Sequence, residues 1–233
     1  MRLDKFFTET ATLSRREANE QIKKGKVQVN GIVVIDSATK INENTDVIVY
    51  DGNIVSYQKY VYIMLNKPEG VVSATEDTNQ KTVLDLLPDK YKKLGLFPCG
   101  RLDKDTLGFV MLTNNGELAH NLLSPKKHVQ KTYRYNCADP LSNESKQKIE
   151  NGLMLADGYI TKPCKITKIN DTIGDITLTE GKYHEIKRLF GAVGNKITYL
   201  ERISFGPLKL DNSLKRGEWR ELTINEIDQL KGN

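Results

Sequence analysis

The densest chemical motif in the chain is Gly100-Arg101-Leu102-Asp103-Lys104-Asp105-Thr106-Leu107-Gly108, a charged loop bounded by glycines and followed by an apolar strand. Glycine at both ends permits turn geometry closed to other residues, so such a loop can hold a carboxylate at the mouth of a sheet. Asp103 and Asp105 invite a paired-carboxylate reading of the kind used in glycosidic-bond hydrolysis. Acids so closely spaced in a loop usually diverge, however, and nothing in the flanking sequence would keep either one protonated. Asp105 and Thr106 are therefore expected to do turn chemistry, their side-chain oxygens accepting from nearby amides. For Asp103 the ordinary role would be an ion pair with Arg101 or Lys104.

Cations and aromatic residues collect in three other places. The segment from Ser124 to Tyr135 carries Lys126, Lys127, Lys131 and Arg134, no acid, and the interleaved Tyr133 and Tyr135. Cations hold phosphates by charge, and an aromatic face can stack on an unpaired base. Gly181-Lys182-Tyr183-His184-Glu185-Ile186-Lys187-Arg188 begins in a glycine turn and enters a helix, whose first amides can themselves bind phosphate. Near the start of the chain Arg15, Arg16, Lys23 and Lys24 share a short helix, with Lys26 just beyond it and Glu17 and Glu20 interrupting the run. That helix alone reads as an ordinary solvated face. Three basic segments together point to a nucleic-acid partner.

Composition narrows the remaining choices. The 233 residues carry 35 Lys+Arg against 30 Asp+Glu, a formal charge of +5, and 38% are hydrophobic, which describes a globular chain rather than a disordered tail. No apolar run approaches the ~18 residues of a membrane span, and the charged start Met1-Arg2-Leu3-Asp4-Lys5 is unlike a secretory leader. Cys99, Cys137 and Cys164 form no C-x-x-C pair, and His120, His128 and His184 share no metal-ligand spacing. A cytoplasmic protein without a structural metal is expected.

Taken together, GRLDKDTLG, the upstream KPEGVVS, SPKKHVQKTYRY and EGKYHEIKRLFGAVGN resemble the RsuA family of ribosomal-RNA pseudouridine synthases. RLDKFF with SRREANEQIKKGKVQVNG is similar to the S-four-type RNA-binding domain that precedes the catalytic domain in that family. The resemblance covers essentially the whole chain in the right order. It implies isomerisation of uridine to pseudouridine in 16S rRNA of a partly assembled small subunit, with no metal, nucleotide or redox cofactor and no obligate protein partner. Asp103 matches the catalytic aspartate and Arg101 the arginine that fills the gap left by the flipped nucleotide. Tyr133 matches the tyrosine stacked on the target base and Lys187 the cation paired with the aspartate. Lys67 and Pro68 match a motif that braces the site. Catalytic roles are thus expected of Asp103, Tyr133 and Lys187. RNA contacts are expected of Arg101, Arg15, Arg16, Lys23, Lys24, Lys126, Lys127, Lys131, Lys182 and Arg188. A neighbouring cation keeps a carboxylate ionised and available as nucleophile or base. Attack on the anomeric carbon, attack on the base and removal of a ribose proton all remain open as the first step. Two departures stand out: Glu185 where glutamine is usual, and Lys187 where many relatives have arginine. Two other readings are a synthase acting on large-subunit rRNA or tRNA, and a non-catalytic RNA-binding assembly protein. The second would need the cations but not the carboxylate.

These residues need elements to position them. Ser14 and Glu17 spell a capping box before a helix from about Arg15 to Lys24, and Asn30-Gly31 is the type I′ hairpin dipeptide. Residues 52–59 lose periodicity and read as a linker. Beyond them, strands near 61–65, 109–112, 132–135, 165–169, 175–178 and 197–203 mix with helices near 117–123, 144–149, 183–193 and from Asn225, without strict alternation. The expected fold is α+β: an S-four-type RNA-binding module at residues 1–57, then a pseudouridine synthase catalytic domain at 58–233 with a largely antiparallel mixed sheet.

Overall fold

The computed structural model describes residues 1–124 and 127–232, so Pro125 and Lys126 of the basic segment lie outside the described residues. The chain divides into two compact units, Met1–Val61 with Leu87–Leu96, and Tyr62–Leu86 with the chain from Phe97 onward.

The first unit contains α1 (Leu3–Glu9), α2 (Arg15–Lys23), β1 (Val27–Val29), β2 (Ile32–Val33), β3 (Ile48–Tyr50), β4 (Asn53–Val55) and the short α3 (Asp89–Lys92). The capping box is formed: Glu17 N–H donates to Ser14 Oγ at 3.3 Å and Ser14 N–H donates to Glu17 Oε2 at 2.8 Å. Asn30 and Gly31 take φ of 52° and 81°, the left-handed pair that a type I′ turn requires. The strands run in the order β2-β1-β3-β4, each pair antiparallel. Leu3, Phe6 and Phe7 of α1 pack with Ala18 and Ile22 of α2 over Val27 and Ile48 of the sheet. The linker expected at 52–59 is in part a strand. Asp51 and Gly52 repeat the left-handed pair at φ 50° and 80°, and return the chain as β4, whose Val55 packs on the core with Tyr57. Asp-Gly turns a hairpin as well as Asn-Gly does; its polar surroundings hid it.

The second unit comprises β5 (Tyr62–Lys67), β6 (Phe97–Pro98), β7 (Leu107–Thr113), α4 (Gly116–Leu123), β8 (Lys131–Cys137), α5 (Asn143–Glu150), β9 (Lys165–Lys168) and β10 (Ile173–Leu178). It continues with α6 (Glu185–Ala192), β11 (Ile197–Phe205), β12 (Leu208–Lys209), β13 (Trp219–Glu221) and α7 (Ile224–Lys231). The sheet runs β13-β5-β7-β11-β8-β10-β9, with β6 also on β7 and β12 on β11. β7 and β11 pair in parallel and the other described pairs are antiparallel, the mixed sheet expected. At the parallel contact Gly108 has φ 96°, and a Cβ there would lie 2.3 Å from the Arg202 carbonyl oxygen, so only glycine fits. β5 is buried along its whole length, whereas β8 buries Lys131, Tyr133, Tyr135 and Cys137 and leaves the alternate residues half-buried.

The helix expected from Tyr183 starts two residues later, because His184 is left-handed at φ 49° and breaks the helical path. β6, β12, β13 and α3 are too short to show a period and escaped the sequence pattern. Among the described residues no helix is long and apolar enough to cross a membrane.

Candidate active site

Asp103 lies in the loop between β6 and β7, and that loop is held through its backbone. Ser73 Oγ donates to the Leu102 carbonyl at 3.0 Å and accepts from the Leu102 N–H at 3.1 Å. Lys67, the last residue of β5 and fully buried, donates to the carbonyls of Pro68, Lys104 and Thr106 at 3.0, 3.1 and 2.8 Å. All three ammonium protons are thereby used. Burial pulls the Lys67 ammonium down to about 8, while Asp105 and Asp103 oppose that shift. Thr106 N–H closes the loop onto the Asp103 carbonyl at 3.1 Å.

The carboxylates of the loop meet α6. Lys187 Nζ lies 3.2 Å from Asp103 Oδ2 and 2.6 Å from Asp105 Oδ1, and His184 Nε2 is 3.5 Å from Asp103 Oδ1. Burial lowers the Lys187 ammonium, but its hydrogen bonds to Asp105 and Asp103 outweigh that and leave it raised. The Lys187 hydrogen bond in turn holds Asp105 below the usual carboxylate range. Asp103 therefore pairs with Lys187 and His184 rather than with Arg101 or Lys104. Asp105 accepts from its own amide, as expected of a turn residue, but its largest interaction is with Lys187: the two acids converge because a helix far along the chain brings one cation between them. Thr106 does no turn chemistry with its side chain, since Oγ1 is buried without a partner among the described residues.

Two cavities adjoin at this point. One, of about 70 Å³, is lined by Asp103, Thr106, Tyr133, Glu185 and Lys187 among others. The other, of about 290 Å³, reaches Lys131, Tyr159, Lys162 and Arg202. Arg101, Tyr133, Gly181 and Lys182 line both. Tyr133 stands on β8 opposite Ile176 of β10 and Arg202 of β11, so neighbouring strands on both sides fix its ring.

Glu185 is buried in the smaller cavity's wall. Its Oε2 accepts from the Lys182 N–H at 2.8 Å and its Oε1 has no partner among the described residues. Burial pushes this carboxyl up to about 8, with Glu180 adding to the shift. Glu180 is itself raised by burial, but the Tyr159 hydroxyl at 2.7 Å and the Lys162 N–H at 2.8 Å donate to it and bring it below the usual carboxylate range. The Glu185 carboxyl thus ties down the turn that leads into α6, whose N-cap residue His184 makes no side-chain capping hydrogen bond.

Of the residues expected to matter, the structure brings Asp103, Arg101, Tyr133, Lys182 and Lys187 to these cavities. Lys131 is buried, not part of an exposed basic stretch: its Nζ donates to the Val129 carbonyl at 3.1 Å, and burial lowers it. Arg188 is engaged by Asp157 at 2.6 Å. In the first unit Arg15 lies 3.5 Å from the buried Asp4, which also receives Arg2 at 2.9 Å, and Arg16 lies 3.5 Å from Glu20. Lys23, Lys24 and Lys127 are exposed, and Lys126 lies outside the described residues. Sequence reasoning missed Asp105, Arg202, Tyr159, Lys162 and Glu180. Strand parity could have found the inward Lys131, which shares a face with Tyr133. No local signal marks Arg202.

Residues 61–192 match the RNA pseudouridylate synthase family and residues 1–47 match the S4 domain. The chain is 45% identical over 234 residues to a Bacillus subtilis protein named as an uncharacterized RNA pseudouridine synthase, covering 99% of this chain and 98% of that one. It is 39% identical to the Escherichia coli ribosomal small subunit pseudouridine synthase A, covering 97% of this chain and 98% of the relative. A crystal structure of a pseudouridylate synthase superposes with a TM-score of 0.71 at 36% identity, covering 99% of both chains. A loop carboxylate held by a helix lysine beside a buried tyrosine, on a chain matched along its whole length, places this protein in the RNA pseudouridylate synthase family.

Proposed function

We propose that the protein converts a specific uridine of small-subunit rRNA to pseudouridine, with residues 1–57 binding RNA and residues 58–233 carrying the chemistry. The observation that carries this reading is the Asp103–Lys187 pair, 3.2 Å apart, at a cavity that Tyr133 and Arg101 also line. The small-subunit substrate is supported by the Escherichia coli and Vibrio vulnificus relatives, both named ribosomal small subunit pseudouridine synthase A, at 39% and 41% identity. A substrate of that kind places the reaction in the cytoplasm.

Chemistry on a stacked base requires the nucleotide to leave its helix. Arg101, exposed at the edge of both cavities, takes the space that the flipped nucleotide vacates. Tyr133 supplies a fixed aromatic face for the uracil. Asp103, paired with Lys187, presents its carboxylate to the nucleoside. The bond from N1 of uracil to the anomeric carbon breaks, the base rotates, and carbon five bonds to the same ribose; the carbon-five proton leaves to solvent and N1 takes one up. Each candidate first step, at the anomeric carbon, at the base or at a ribose proton, begins from that same carboxylate oxygen. Lysine at 187 keeps the charge of the more usual arginine but not its forked geometry, and Asp105 supplies the second tether that orients it.

Tritium release from uracil labelled at carbon five tests this, with protein-free 16S rRNA, a partly assembled small subunit and 23S rRNA as substrates. Release from a small-subunit substrate is expected, and Asp103→Asn should abolish it while RNA binding persists. Release from 23S rRNA alone would move the substrate to the large subunit. No release from any of them would leave an RNA-binding protein.

A further inference from the structure

The chemistry above leaves two buried cations without a task. Arg202 is 1% exposed and Lys131 8% exposed, on the paired strands β11 and β8. Arg202 Nε donates to the Phe109 carbonyl at 2.7 Å and its guanidinium lies 5.2 Å from the Phe205 ring centre, but its buried Nη2 has no hydrogen-bond partner among the described residues. Lys131 spends one of three donors, on the Val129 carbonyl, and lies 5.7 Å from the same ring. Among the described residues no carboxylate forms an ion pair with either; Glu185 acts on Lys131, but less than burial and Arg202 do. A buried charge without a counter-charge is costly, and two like charges side by side add repulsion. Lys131 shows both effects, since burial first and Arg202 second lower its ammonium.

Both cations line the larger cavity, of about 290 Å³. Arg101, Lys162 and Lys182 complete its lining charge, and the acid in the wall is Glu180, whose two oxygens already accept from Tyr159 and Lys162. The space is therefore electropositive, roomy and lined by donors in want of an acceptor. It shares Arg101, Tyr133, Gly181 and Lys182 with the cavity of Asp103, so whatever occupies it is close to the reacting nucleoside.

We propose that this larger cavity is a phosphodiester subsite, in which Arg202 and Lys131 receive a backbone phosphate next to the uridine held at Asp103. The proposal rests on the pseudouridine synthase reading for the identity of the chain that supplies the phosphate. A phosphate oxygen would satisfy the orphaned Nη2 and the spare Lys131 donors at once, and its charge would relieve the repulsion between them. The subsite would bind the strand through its backbone rather than its sequence, and would hold the flipped nucleotide in line with Asp103.

The test uses the full chain with Asp103→Asn, so that RNA binds without turnover, and 16S rRNA sparsely ethylated on its phosphates. The converted uridine is first mapped with the wild-type protein, by reverse-transcription stops after carbodiimide treatment. Absence of any converted uridine in 16S rRNA, free or in a partly assembled small subunit, and in 23S rRNA would overturn the pseudouridine synthase reading, and is seen before the subsite is probed on the RNA that is converted. Ethylation of a phosphate flanking the mapped uridine should then block binding. No interference at either flanking phosphate would overturn the subsite while leaving the enzyme intact. Adding Lys131→Met should remove that one interference signal and lower the slope of log K against log salt by about 0.7–0.9, the share of one phosphate. Lys131→Arg should restore both. Interference that survives Lys131→Met unchanged would place the phosphate elsewhere. Were Lys131→Met not to fold, Lys131→Gln, which removes the charge and keeps a donor, would be read for the same loss of interference and of slope.

Discussion

The Lys187 ammonium lies closer to Asp105, at 2.6 Å, than to Asp103, at 3.2 Å. The residue on which the chemistry depends thus shares its cation with a neighbour two positions along the same loop. Asp105 is the more exposed of the two carboxylates and acts by fixing where Lys187 points. Asp105→Asn is expected to lower turnover by no more than about fivefold, since a half-exposed ion pair contributes roughly 1 kcal/mol or less. Lys187→Met, which removes the charge from both carboxylates, should cost about a hundredfold or more. Single-turnover tritium release measures both, and equal losses in the two variants would contradict this division of roles.

Lys67 is expected to matter for both shape and rate. Lys67→Met takes a donor from the Pro68, Lys104 and Thr106 carbonyls, of which Lys104 keeps the Gly70 N–H at 2.9 Å, a loss on the order of 2–3 kcal/mol. Freed from the brace, Asp103 drifts from its cavity, and displacement near 1 Å can cost about a hundredfold in rate. Urea unfolding and turnover of the same preparation check the two effects. A variant with wild-type turnover would show that the remaining bonds from Ser73 and the Gly70 N–H hold the loop.

Glu185 makes stability depend on pH in an unusual direction. In the unfolded chain a glutamate titrates near about 4.3, whereas burial holds the folded carboxyl up to about 8. Between those values the folded protein keeps a proton that the unfolded chain releases, so this group's contribution to stability is complete at the acid end of the window and declines as pH rises to about 8. Glu185→Gln, which keeps the shape and cannot ionise, should flatten that decline. Urea midpoints at pH 5, 6.5 and 8 would reveal it, and parallel curves for the two proteins would mean that Glu185 is ionised throughout.

Gly108 has no substitute at the parallel contact of β7 with β11. A methyl group there meets the Arg202 carbonyl oxygen at 2.3 Å in a backbone region that disfavours side chains. Gly108→Ala should destabilise the chain by more than about 3 kcal/mol. Gly116→Ala, in the first turn of α4 with open space around it, should be neutral or mildly stabilising. Thermal unfolding of the pair provides the comparison.

What could be read from the sequence follows from how local each feature is. The cap at Ser14 and the turn at Asn30-Gly31 are complete within a few residues, and they fold as spelled. Asp103, Arg101, Tyr133 and Lys187 were found because whole motifs surround them. The convergence of Asp105 on Lys187 was not legible, since its partner comes from α6, 82 residues further along. Arg202 shows the same difficulty: within β11 it reads as one more charged residue, and only the pairing with β8 places it beside Lys131 and Tyr133. Lys131 was misread as surface because the charge of its segment was weighed before the alternation of its strand.

Lys67 grips carbonyl oxygens at residues 68, 104 and 106, which every amino acid carries. The path of the loop is therefore inherited separately from its spelling. Position 104, whose side chain points to solvent, is free to change its chemistry and so to adjust how the rim meets different RNA surfaces, while the carboxylate one residue earlier stays where it is.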